Sequence, residues 1–64
     1  SKKYYGKTLK VLVEGPSSKN PEMLTGRTST HKIVLFKSDE NLSGQFVNVK
    51  IYETKTWTLY GELV

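Results

Sequence analysis

Arg27, His31 and Lys32 stand together in the stretch TGRTSTHKIVLF (residues 25–36), among Thr25, Thr28, Ser29 and Thr30, and the stretch holds no acid. Guanidinium and ammonium groups beside hydroxyls suit oxyanions. Arginine forks onto phosphate oxygens, and Ser or Thr hydroxyls fix register along a phosphate backbone. The same bias recurs upstream, where residues 1–13 carry Lys2, Lys3, Lys7 and Lys10 and again no acid. Residues 39–64 reverse it, with Asp39, Glu40, Glu53 and Glu62 against Lys50 and Lys55. The net charge of +4 over 64 residues is therefore unevenly spread. Two acid-free basic segments in so short a chain are the footprint expected of a nucleic-acid binder. A surface of lysines kept for solubility is the alternative reading.

Other chemistries lack their parts. His31 is the only imidazole, and a lone histidine in a turn is a poor base and a poor metal site. The neighbouring carboxylates Asp39 and Glu40 point apart in a loop and make no acid–base dyad. The stretch GPSSKN has glycine and lysine without the spacing that wraps phosphates. No serine has a plausible histidine and aspartate set around it. The chain contains no cysteine, which removes disulfides, thiol nucleophiles and thiolate or iron–sulfur ligation, and which fits a reducing compartment. An independent enzyme is accordingly disfavoured. No apolar run approaches the roughly 20 residues that span a bilayer, and SKKYYGK has no signal-peptide core. A first residue that is Ser and a last pair inside an apparent strand suggest a domain excised from a longer protein.

The elements that must hold the cations are short strands. KTLKVLVE (7–14) puts Leu9, Val11 and Val13 on one face, with Leu12 as an intruder on the other. GPSSKNP (15–21) is a loop. EMLTGRTS (22–29) is a second strand, in which Gly26 marks a bulge or a sharp bend. A turn at 29–31 leads to a third strand, KIVLFK (32–37). SDENLSG (38–44) is a loop with room for one helical turn. QFVNVKIYE (45–53) alternates Val47, Val49 and Ile51 against Asn48, Lys50 and Tyr52. TWTLYGELV (56–64) sets Trp57, Leu59 and Leu63 against Thr58, Tyr60 and Glu62, and Trp57 reads as core or as a plug on the barrel end. Five short strands without a helix of ordinary length predict an all-β fold, a small five-stranded OB-like barrel whose closure protects its edges.

Alternation also sorts the candidate site residues. Arg27, Lys10 and Lys50 oppose the apolar side of their strands. In residues 32–37 either Ile33 and Leu35 or Val34 and Phe36 face inward, and the second choice leaves Lys32 at the strand mouth. Tyr52 and Tyr60 share the outward parity, where they either stack on unpaired bases or simply pack on the sheet. Thr28 is inward by parity.

With the strands placed, GKTLKVLVEGPS (6–17), LTGRT (24–28), VLF (34–36), GQFVNVKI (44–51) and WTLYGELV (57–64) resemble a TRAM domain. More narrowly, they resemble the C-terminal TRAM domain of MiaB-type radical-SAM tRNA methylthiotransferases. The resemblance covers residues 4–64, with residues 1–3 as a linker from upstream domains. It implies an OB-like barrel that binds tRNA and delivers it to a catalytic domain, without being catalytic itself. The parent enzyme would use iron–sulfur clusters and S-adenosylmethionine to methylthiolate an isopentenyladenosine beside the anticodon. The implied partners are tRNA and the parent's own catalytic domains, with no membrane. The implied setting is the bacterial cytoplasm, and the domain alone would be monomeric. Arg27, Thr28, Lys32, Lys10 and Lys50 are the expected RNA contacts, with His31 at the tip of the contact hairpin. The match favours Val34 and Phe36 as the inward pair. The family has an Asn near position 31 and a polar residue near position 35, where this chain has His31 and Leu35. A sister family that methylthiolates a ribosomal protein carries the same barrel, and a protein-docking module is a further alternative.

Overall fold

The computed structural model describes residues 2–64, so that of the expected linker 1–3 the first residue lies outside the described residues. A short 3₁₀ turn (Lys2–Tyr4) precedes five strands: β1 (Thr8–Pro16), β2 (Met23–Arg27), β3 (Ile33–Lys37), β4 (Phe46–Thr54) and β5 (Thr58–Leu63). They close a barrel in the order β1-β2-β3-β5-β4, with β4 returning to β1. All neighbours are antiparallel except β3 and β5, which run parallel. The all-β, OB-like barrel is the fold the strand pattern predicts.

The inward residues of each strand meet in one core of Val11, Val13, Leu24, Val34, Phe36, Val49, Ile51 and Leu59. Val34 and Phe36 are fully buried, which resolves the ambiguity in β3. Tyr4, Leu9, Leu42 and Val47 are half-buried and pack against this core. Tyr4 is held there by the segment after it: Lys7 N–H donates to Tyr4 O at 3.1 Å, and Gly6 N–H to Ile51 O at 2.8 Å.

Two bulges let the nine-residue strands β1 and β4 each serve two neighbours. Between Val13↔Gly26 and Gly15↔Thr25, Glu14 has no partner of its own; between Ile51↔Gly61 and Glu53↔Tyr60, Tyr52 has none. An extra residue bends the strand and increases its twist, as closing a small barrel requires. The bend expected at Gly26 thus lies opposite it, in β1. Gly26 serves a different need. A Cβ there would stand 2.5 Å from Leu12 O and 2.5 Å from Val11 Cγ1, so only glycine lets β2 cross β1 this closely. Gly61 does the same for β5 over β4.

Several sequence expectations are corrected. β1 runs on to Pro16, because the bulge carries Gly15 and Pro16 into pairing with Thr25 and Leu24. Residues 38–44 form bends and a turn rather than a helical turn, since Ser38 and Asn41 side chains cap the local backbone. Trp57 is neither core nor plug. It is 84% exposed, because β5 begins only at Thr58 and alternation has no force in the turn before it.

Candidate nucleic-acid interface

The loop between β2 and β3 is organised by Thr28. Its N–H donates to Lys32 O at 3.0 Å, and its carbonyl accepts His31 N–H at 2.9 Å. Its hydroxyl accepts Lys32 N–H at 3.1 Å and lies 3.1 Å from Thr30 Oγ1. Thr28 therefore shapes the loop, and Ser29, Thr30, His31 and Lys32 are exposed along it. His31 turns the chain with φ 65°, in the left-handed region where Asn, Asp and His are enriched. Asparagine and histidine are thus interchangeable for the backbone at this position, whatever their side chains contact.

Cross-strand register builds the adjoining surface. Leu12 pairs with Phe46 on one side and with Arg27 on the other, so Phe46, Leu12 and Arg27 form one outward row over β4, β1 and β2. Lys10, two residues before Leu12, reaches back with its Nζ 4.7 Å from the centroid of the Phe46 ring. At the other end of the row Arg27 Nε–H donates to Glu14 Oε2 at 3.1 Å, an exposed ion pair. Such a pair adds about 0–1 kcal/mol of stability, so its main effect is to orient the guanidinium. The Arg27 Nη groups make no hydrogen bond to the described residues.

Row and loop enclose a groove of about 700 Å³. Its floor is apolar, from Leu9, Leu12 and Phe46 with Tyr4 at the barrel mouth; its rim is Lys10, Glu14, Arg27 and the loop residues Thr28 to His31. Four of the expected contacts, Lys10, Arg27, Thr28 and His31, meet here. Lys32 is exposed on the same loop but does not line the groove. Lys50 lies further along β4, opposite Thr8 and Glu62. Tyr52 lines a separate shallow hollow with Tyr5, Glu53 and Thr54. Tyr60 is half-buried, with Lys55 Nζ 5.4 Å from its ring centroid.

The apolar floor is what sequence reading missed. Leu12 stood out as an intruder, but Phe46 carried the same signal, since it shares parity with the polar Asn48 and Lys50. Among the described residues no group of three or more His, Cys, Asp or Glu could hold a metal ion. With no cysteine in the chain, its residues do not fit an iron–sulfur cluster.

Fold and site together define a small closed β-barrel with an amphipathic, cation-rimmed groove over β1, β2 and β4. The sequence pattern of the TRAM domain matches residues 2–64, and the chain belongs to the TRAM domain family. It is 69% identical over 64 residues to a tRNA-2-methylthio-N(6)-dimethylallyladenosine synthase of Fusobacterium nucleatum. It is 55% identical over 64 residues to the enzyme of that name from Bacillus mycoides, and 54% over 59 residues to that from Thermoanaerobacter. These matches cover 100%, 100% and 92% of this chain but only 15%, 13% and 12% of those proteins.

Proposed function

We propose that this chain is the tRNA-binding barrel of a tRNA methylthiotransferase, holding the anticodon arm while another domain of the same protein modifies an adenosine beside the anticodon. The relatives' shared name supports the substrate class. The observation that carries the reading is the groove, which gathers Lys10, Arg27 and the acid-free loop residues 28–31 on one surface. In this reading Arg27 and Lys10 take phosphates in the groove, and Lys32 and Lys50 extend the contact along the backbone. Thr28 holds the loop that presents His31. The barrel itself supplies no reacting group. Iron–sulfur and S-adenosylmethionine chemistry belongs to the rest of the parent protein, whose setting is the cytoplasm. No helix among the described residues is long and apolar enough to cross a membrane.

The test is a titration of the chain with an anticodon stem-loop at two salt concentrations. Each phosphate neutralised should contribute roughly −0.7 to −0.9 to the slope of log affinity against log salt. Two to four contacts therefore predict a slope of about −1.5 to −3.5. Affinity indifferent to salt would remove the phosphate-contact reading. It would favour protein docking, which should then appear as amide shifts on adding the parent's catalytic domains.

A further inference from the structure

We propose that the outward ring of Phe46 is a stacking platform for one unpaired nucleobase, with Lys10 and Arg27 taking the phosphates that flank it. This rests on the RNA-binding reading and adds the form of nucleic acid, a single-stranded segment or loop rather than a duplex.

The first observation is the ring itself. Phe46 is 63% exposed at the start of β4, on the face that otherwise carries Asn48 and Lys50. An aromatic side chain left in water at a strand position costs hydration free energy that the fold does not recover, since Phe46 lies outside the core. Its backbone is paired with Leu12, so the ring stands on a rigid strand and not on a loose tip. The second observation is the surface beside it. Leu12, 40% exposed, adjoins the ring and continues the apolar floor of the groove. The third is charge. Lys10 Nζ lies 4.7 Å from the ring centroid, and Arg27, across Leu12, keeps its Nη groups unengaged by described residues.

These features select the occupant. An apolar protein segment would fill the floor but would strip water from Lys10 and Arg27 without replacing it, which is expensive for charged groups. A nucleotide meets both demands, because its base has an apolar face and its phosphates are anionic. A duplex meets only one. Its base faces are hidden in the stack and A-form RNA shows base edges and hydroxyls to the outside, so an outward phenyl ring would find nothing to lie against. Unpaired bases stack on such rings whatever their identity, so the platform should be tolerant of sequence.

The chain is titrated with a short single-stranded RNA carrying one fluorescent purine analogue and with the same sequence locked in a hairpin stem. Phe46→Leu and Phe46→Trp are run in parallel, with amide spectra confirming that each variant keeps the barrel. The single strand should bind more tightly than the stem, with a fluorescence change on binding. Phe46→Leu should weaken single-strand binding about tenfold, with salt slope and stem binding unchanged, and Phe46→Trp should retain it. Salt-dependent binding that is equal for Phe46→Leu and the natural chain, or that prefers the stem, would overturn the platform and leave the phosphate contacts standing. Salt-independent or absent binding of both RNAs would overturn the RNA reading, and the platform with it.

Discussion

The groove and the β4–β5 hairpin turn each set a lysine near an aromatic ring, Lys10 by Phe46 and Lys55 by Tyr60, yet the two arrangements differ in what they leave available. At the hairpin, Lys55 also lies 3.8 Å from Glu53, and Tyr60 is half-buried, so cation and ring are both partly engaged. The most exposed aromatic there, Trp57, sits in the turn and not on a paired strand. In the groove, Lys10 is in no ion pair among the described residues, and Phe46 is exposed on a paired strand. The one acid present, Glu14, holds Arg27. Composition is similar in the two places. Strand pairing and the position of the acid make only the groove a rigid surface with a free cation.

The comparison breaks most severely if the barrel is pried open on one side. Gly26→Ala drives a methyl into Leu12 O, a backbone atom that cannot turn aside. A loss of about 1–3 kcal/mol is expected, as for other overpacked sites. Thermal unfolding measures it, and amide shifts should concentrate around β1, β2 and the groove and not at residues 54–58. Unchanged stability would mean that β2 does not need its close crossing over β1.

A smaller effect is expected in the loop that rims the groove. His31→Val places a β-branched residue at φ 65° and should cost about 1–2 kcal/mol. His31→Asn should stay within roughly 0.5 kcal/mol of the natural chain, as for ordinary surface changes. Chemical denaturation distinguishes them, and equal stabilities would show that the left-handed turn is not maintained.

The third test compares the two regions directly. Arg27→Ala should weaken binding of an anticodon stem-loop roughly fivefold to tenfold across RNA sequences and flatten its salt dependence by about one unit of slope. Lys55→Ala, at the hairpin, should change neither. Equal effects from the two variants would make the basic charge of the whole barrel, and not the groove, the source of affinity.

How legible this was depends on the range of each interaction. Alternation in β1 and β4 reads out the buried residues Val11, Val13, Val49 and Ile51, because successive side chains on any strand point to opposite faces, whereas in β3 it leaves Val34 and Phe36 undistinguished from Ile33 and Leu35. It misleads at Trp57, where the turn suspends it, and past Ile51, where the bulge at Tyr52 shifts it and turns Glu53 and Tyr60 together. The candidate cations could be picked out in sequence. Their grouping could not, because Lys32 and Lys50 are as basic as Lys10 and Arg27 yet fall outside the groove.

The sequence by itself determined that this chain makes a small barrel of short strands, that it has no thiol chemistry, and that an acid-free hairpin stands near its middle. These follow from residue types and a period of two, which are local properties. Only the tertiary structure decided that Glu14 faces Arg27, thirteen positions away, and that Phe46, Leu12 and Arg27 share a row. Both depend on where β1 bulges and on which register closes the barrel. That register follows from packing eight core side chains and two close-crossing glycines at once, a condition no single segment contains.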